Sequence, residues 1–360
     1  MHRALMSTVH FNGINDKEAY MPKVRELGIT IGSLTPGAKN CITDVEGVMV
    51  GHTTLDYTND DGFVACTGVT AILPHGGNLF REKLVAASYI INGFGKTAGL
   101  VQIDELGTLE SPIMLTNTLN VPEASAAAIE YMLEQTEEIS SINIITGECN
   151  DSKLNSINKR FVTKAHAREA LLSASDKQSE EGAVGAGKGM VCFGYKGGIG
   201  CSSRLVPYED GAVTGFTVGV LTLTNFGRPE EFKYSKSCDN NNTNSNNDGS
   251  IMIIMATDAP LSDRQLKRVA KRCAVGLART GGNWNHGSGD IVIAFSTASK
   301  IPHKSDKMTD TLVQLREDAP VFNKLFQAAA DATEEAILNS MAQAETTVGK
   351  DGNKVYKFEF

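Results

Sequence analysis

Residues 240–261 read NNNTNSNNDGSIMIIMATDAPL, an asparagine-rich run that passes directly into a continuous apolar stretch. Asn, Ser, Thr and Asp carry too little apolar surface to offset the entropy of ordering them, so the first part is expected to be mobile. Residues 250–257 have the opposite character. A short, unbroken run of Ile and Met bounded by polar residues is the pattern of a strand buried on both faces. Two explanations meet at the seam, Asp248-Gly249-Ser250. Asp-Gly is favoured at the corner of a hairpin, so the seam can be a surface turn. It can also be a bond made to be cut, with Ser250 freed as a new N-terminus.

A strand buried on both faces needs partners on each side. The stretch GDIVIAFSTA (289–298) is a second apolar run, and GFTVGVLTLTNFG (215–227) sets Phe216, Val218 and Val220 on one face and Leu221, Leu223 and Asn225 on the other. Between the first two lies a helical pattern with an apolar stripe at 266, 269, 270, 273, 274 and 277, with Ser262 to cap it and Gly281 to end it. A second long helix is expected at about 319–346. Toward the N-terminus, ITDVEGVMVGHTTL (42–55), GVTAILP (68–74) and INIITG (142–147) read as strands. NLFREKLVAASYIIN (78–92) has near-helical spacing, and PEASAAAIEYMLEQTEE (122–138) and TKAHAREALLSAS (163–175) read as helices. GMVCFGYKGGIGCSSRLV (189–206) is expected to form two strands around its Lys-Gly-Gly turn. Helices flanking central strands favour two sheets stacked between helical layers. Residues 1–24 read as an arm and 25–360 as a single domain, with a flexible segment at 237–248.

Composition narrows the function classes. The chain has 360 residues, a net charge of −8 and no basic stripe, which argues against nucleic acid or an anionic membrane as partner. No run approaches the ~20 apolar residues needed to span a bilayer. Seven cysteines (41, 66, 149, 192, 201, 238 and 273) are scattered without a C-x-x-C pair, so neither a disulfide framework nor a zinc site is expected. With no secretory pattern at the start, a cytoplasmic location is expected.

Several motifs invite chemistry without completing it. GAVGAGK (182–188) fits a phosphate loop, but Gly189 stands where Ser or Thr must hold Mg²⁺. GFGKT (93–97) has the Lys-Thr but Ile90 where the first Gly belongs. His52, His75 and His286 lie near Gly-rich turns without metal spacing, and Cys149 has the setting of an inert buried thiol. Ser250 is different, because a Ser after Gly can attack the preceding carbonyl and leave a free α-amine. That amine, with an ordinary pKa of about 7.7–8.0, can act as base beside its own hydroxyl. Ser288 and Asp290, two apart at a strand start, share a face and can act as one polar unit. Asn225, ending a strand, can offer its amide to an oxyanion. Each of these also has a plain structural reading as a turn or cap. Pairing the strand that ends at 225 with the one that starts at 250 would bring all four groups together.

The segments TPGAKNCITDVEGVMVGHTTL, GVTAILPHGGN, INGFGKTAGLVQIDELGTLESPIMLTNTLNV, GAVGAGKGM, GIGCSSR, TNFG, GSIMIIMATDAPL and GSGDIVIAFSTA occur in that order between about Arg25 and Ala298. This ordered set resembles the self-processing N-terminal-nucleophile aminopeptidases, the L-aminopeptidase/D-esterase and β-peptidyl aminopeptidase family. The resemblance implies a four-layer α-β-β-α sandwich of the Ntn-hydrolase kind, cut between Gly249 and Ser250. It implies Ser250 as nucleophile, Asn225 as oxyanion-hole amide, and Ser288 and Asp290 as supporting serine and acid, the last being Glu in some members. Glu148 matches an acid near the substrate's free amine. Asn150 stands where an aromatic is usual, and with Asn117 it completes the candidate substrate-binding set. Lys188 stands where a small polar residue is expected. Implied further are a peptide, amide or ester substrate with a free amine, no metal or organic cofactor, and a homo-oligomer, a tetramer of processed pairs. Two other readings stay open: an acyltransferase resembling the self-cleaving ornithine acetyltransferases, and a non-catalytic binding protein with an uncut turn at 249–250.

Overall fold

The structure, a computed structural model, describes residues 21–209, 215–235 and 249–360. The asparagine-rich segment and most of the expected arm lie outside the described residues. The strands are β1 Met49–Thr58, β2 Val64–Leu73, β3 Glu82–Gly93, β4 Thr108–Leu109, β5 Ile113–Asn117, β6 Ile145–Cys149, β7 Val191–Cys192, β8 Tyr195–Lys196, β9 Ile199–Pro207, β10 Gly215–Asn225, β11 Ser250–Thr257, β12 Gly289–Pro302, β13 Thr347–Val348 and β14 Lys354–Val355. The helices are α1 Leu100–Leu106, α2 Val121–Gln135, α3 Lys164–Leu172, α4 Asp263–Ala270, α5 Cys273–Thr280 and α6 Val321–Ala342.

Two sheets carry the fold. One has the order β1-β2-β5-β6, the other β4-β3-β12-β11-β10-β9. Strand β11 sits in the middle of the larger sheet, antiparallel to β10 and parallel to β12. All its residues are buried, which is why its sequence shows an unbroken apolar run rather than alternation. Its side chains still divide by parity. Met252, Ile254 and Ala256 join Leu221, Leu223, Ile291 and Ile293 in the core between the sheets. Ile251, Ile253 and Met255 join Leu266, Val269, Leu277, Leu325 and Ile337 in the core beneath α4, α5 and α6. A third core packs α2 and α3 on the outer face of the smaller sheet. The expected four-layer α-β-β-α sandwich is therefore present.

Three local expectations are revised. Residues 78–92, read as helical, instead lead into and form strand β3 from Glu82, which pairs along β12. Their Val, Tyr and Ile content suits a sheet, and packing between two cores overrides an accidental helical spacing. The turn in 189–206 falls at Phe193 and Gly194, both at positive φ, and not only at the Lys-Gly-Gly. The helix after β11 breaks into α4 and α5 at Lys271–Arg272, although Ser262 caps it and Gly281, at φ 111°, ends it as expected. The boundary of the arm also moves. Val24 is wholly buried in the core, and the Lys23 ammonium is buried against Glu181 at 2.5 Å. Arg25 binds Glu335 of α6, whose carboxylate also pairs with the fully buried Arg204 of β9 at 2.6 Å. The body of the protein thus begins by residue 23.

Candidate active site

The ends of six strands converge at one end of the sandwich: the last residues of β3, β5, β6 and β10 and the first of β11 and β12. The register sets Asn225 directly opposite Ser250, Ser250 beside Gly289, and Gly289 opposite Gly93. Two glycines make this close approach possible. A Cβ on Gly289 would lie 2.9 Å from the Gly95 Cα. A Cβ on Gly249 would lie 2.0 Å from the Asn225 carbonyl oxygen and 2.4 Å from the Phe226 Cα, so only glycine can precede Ser250 here.

A cavity of about 510 Å³ opens at this end, within the range of small-molecule sites, and Glu148, Asn150, Asn225, Gly249 and Ser250 are among its walls. The Ser250 Oγ accepts a hydrogen bond from the Gly289 N–H at 3.2 Å. The Asn225 amide is held by its surroundings. Its Oδ1 accepts from the Val191 N–H at 2.9 Å, and one Nδ2 hydrogen goes to the Asn150 carbonyl at 2.9 Å. This fixes which way the amide faces and leaves the second Nδ2 hydrogen uncommitted.

Glu148 is almost wholly buried at the end of β6. It accepts from the Lys96 backbone N–H at 2.8 Å and from the Thr118 hydroxyl. Among the described residues no cationic side chain pairs with it. A buried carboxylate with hydrogen bonds but no counter-ion can receive a cation brought by a ligand.

Ser288 and Asp290 lie across the strand from this cavity. Asp290 shares its face with Val292 and Ala294 on the helix side of the sheet, whereas Ser250 shares its face with Met252 between the sheets. Asp290 and Ser288 border a narrow crevice with Trp284 and Leu277, and Gly249 borders both spaces. Gly249, together with Phe226 and Gly227, thus lies between the cavity and the Ser288/Asp290 pair. The Ser288 hydroxyl donates to Asp290 Oδ1 at 2.6 Å, while the buried Asp290 Oδ2 has no partner among the described residues. Burial raises the Asp290 carboxyl from 3.8 to about 6, against the lowering pull of the Ser288 hydroxyl and the Ile251 N–H.

This shift has a direct consequence for stability. Between pH 3.8 and 6 the folded state keeps a proton that the unfolded chain has released, so stability falls as pH rises through the window. Asp290→Asn removes that cost and is expected to stabilise the protein at pH 7 by at most about 3 kcal/mol, with little gain at pH 4. Thermal unfolding at the two pH values checks this. A lower melting temperature at pH 7 would mean that the Ser288–Asp290 hydrogen bond outweighs desolvation.

Asn117 is not part of the cavity wall. Its Oδ1 accepts from Leu119 and Asn120 N–H groups and its Nδ2 donates to Thr67, so the side chain is consumed in shaping the turn after β5. Its neighbour Thr118 faces Glu148 instead. The sequence signal for Thr118 lay in the same MLTNTLNV segment, and that for Lys96 lay in GFGKT. That segment supplies a backbone N–H to a carboxylate rather than to a phosphate. GAVGAGK likewise packs against β1 and β2, with the Gly185 N–H donating to Thr54, the Ala186 N–H to Thr70, and Lys188 paired with Asp56 at 2.7 Å. Cys149 is buried, and burial together with the nearby carboxylates pushes its thiol pKa up, as an inert thiol requires.

The model of peptidase family S58 matches residues 40–355. The chain belongs to that family. It is 36% identical to the β-peptidyl aminopeptidase BapA of Sphingosinicella microcystinivorans, with 93% of this chain and 89% of the relative covered. Among solved structures it is similar to a protein of Pyrococcus horikoshii OT3, with 46% identity, a TM-score of 0.86 and coverage of 94% and 96% of the two chains. It is also similar to the L-aminopeptidase D-Ala-esterase/amidase of Ochrobactrum anthropi, described as a prototype for the serine aminopeptidases and a variant of the Ntn-hydrolase fold. There the identity is 32%, the TM-score 0.84 and the coverage 94% and 96%. The chain is thus a peptidase with an Ntn-hydrolase-type sandwich, as the resemblance in its sequence implied.

Proposed function

We propose that this chain is a serine aminopeptidase that first cuts its own Gly249–Ser250 bond. The observation that carries this reading is the position of the two residues, Gly249 bordering both a ligand-sized cavity and the crevice of a buried Ser–Asp pair, and Ser250 opposite an oriented amide. The Ser250 Oγ attacks the Gly249 carbonyl carbon, the C–N bond breaks, and the hydroxyl proton passes to the departing nitrogen. Water then hydrolyses the ester, leaving a Gly249 carboxylate and a free Ser250 with both its hydroxyl and its amine. The new amine emerges beside the Ser288/Asp290 pair, where the unpartnered Asp290 Oδ2 can accept from it.

In turnover the same hydroxyl attacks a substrate carbonyl, and the α-amine takes and returns the proton. The free Nδ2 hydrogen of Asn225 stabilises the oxyanion. Glu148 holds the substrate's ammonium, which restricts the enzyme to N-terminal residues of peptides, amides or esters. Aminopeptidase activity among the relatives favours hydrolysis over acyl transfer and over a non-catalytic role.

Intact-mass measurement of the purified protein is expected to give chains of 249 and 111 residues, and those chains are expected to hydrolyse aminoacyl amides. A single 38.5 kDa species after prolonged incubation, with no turnover, would overturn the reading. Glu148→Gln is expected to raise KM by about tenfold, the scale of one charge-assisted contact, with a smaller effect on kcat. Equal KM values for wild type and variant would remove Glu148 from substrate binding.

A further inference from the structure

Glu148 is not the only charge on the cavity wall without a counter-ion. Lys153 lines the same cavity, in the turn that follows β6. The peptide bond that follows it is held at both its polar groups. The Lys153 carbonyl accepts from Asn353 Nδ2 at 3.2 Å, and the next residue's N–H closes onto the Asp151 carbonyl at 3.1 Å. Its ammonium has no ion pair or hydrogen bond among the described residues. The other lysine of the cavity is differently placed, because the Lys96 ammonium lies over the Phe94 ring at 4.3 Å. Burial alone lowers the Lys153 ammonium below its ordinary pKa, and no neighbouring carboxylate offsets it.

A half-buried ammonium on a fixed backbone, facing a cavity and lacking an anion, is a binding element for an anion that arrives with the ligand. The same cavity holds a buried carboxylate that lacks a cation. Placed within one space of about 510 Å³, the two are complementary to a small molecule bearing one charge of each sign.

We propose that Lys153 is the receptor for a carboxylate on the substrate, so that Glu148 and Lys153 together select short zwitterionic peptides. The inference rests on the aminopeptidase reading and names the substrate class within it. The carboxylate can be the C-terminus of a dipeptide or an acidic side chain on the leaving residue. Either chemistry satisfies Lys153.

The test compares kcat/KM for alanyl-alanine and alanyl-glutamate amide, each divided by the value for alanyl-alanine amide, which has the ammonium but no carboxylate, in the full processed protein. In Lys153→Gln one or both ratios are expected to fall about tenfold, mainly through KM, the scale of one charge-assisted hydrogen bond. Lys153→Arg is expected to restore most of the loss. A fall confined to alanyl-alanine assigns the C-terminal carboxylate, and one confined to alanyl-glutamate amide assigns the side chain. Ratios unchanged by Lys153→Gln, with all three substrates still hydrolysed, overturn the carboxylate site and leave the aminopeptidase standing. If the wild type hydrolyses none of the three, the underlying reading falls and the carboxylate site with it.

Discussion

Ser250→Ala is expected to yield one uncut chain of 38.5 kDa with no measurable aminopeptidase activity. The variant removes one oxygen from the tip of a strand that is buried along its whole length, so the fold should survive. The structural loss is one hydrogen bond, that of the Gly289 N–H to the Ser250 Oγ, which costs about 1–3 kcal/mol if the donor is left unsatisfied. Under the proposed mechanism the chemical loss is total, because the same oxygen would make the cut and attack the substrate. Activity should drop by a factor on the order of 10⁴ or more, as when other serine nucleophiles are removed. Circular dichroism and thermal unfolding separate this outcome from misfolding. Ser250→Cys supplies the second control, since a thiol keeps a nucleophile at the same point and should permit slow cleavage. Persistent cutting in Ser250→Ala would contradict self-processing by this residue.

Much of this arrangement was legible in the sequence because it depends on local pattern. The unbroken run at 250–257 marks a strand buried on both faces, and the alternation at 215–225 marks its neighbour. Together they dictate that Asn225 and Ser250 meet. What the sequence could not give was the side of the sheet on which each group acts. Ser288 and Asp290 were expected beside Ser250, and they are beside it along the chain direction. The parity of β12 nevertheless turns them to the helix side, behind Gly249. The error over 82–92 has the same origin. Its apolar residues serve two cores at once, so their spacing reflects burial on both faces and not a helical stripe. Asn117 and Thr118 differ by one position, and only the turn geometry decides which of them reaches Glu148.

Asn225→Ala is expected to lower kcat by 10²–10³, on the order of what the loss of one oxyanion-hole donor costs, with KM changed far less. The reasoning rests on how fully the amide is committed. Its oxygen is taken by the Val191 N–H and one of its two hydrogens by the Asn150 carbonyl, so the remaining hydrogen has a fixed direction before any substrate binds. Such preorganisation helps the transition state more than the ground state, because negative charge develops only when the carbonyl is attacked. Asn225→Asp separates this from packing. An aspartate keeps an oxygen for Val191 and nearly the same volume, yet it replaces the donor by an acceptor and adds a charge that repels the oxyanion. It should therefore be at least as inactive as Asn225→Ala, and somewhat less stable than the wild type, because its second oxygen faces the Asn150 carbonyl. If Asn225→Asp retained most of kcat, the amide would be a structural link between β10 and the segments at Val191 and Asn150, and the oxyanion would have to find its donors elsewhere. Self-cleavage gives an independent reading of the same group. The Gly249 carbonyl also becomes an oxyanion during the cut, so slowed processing should accompany slowed turnover in both variants.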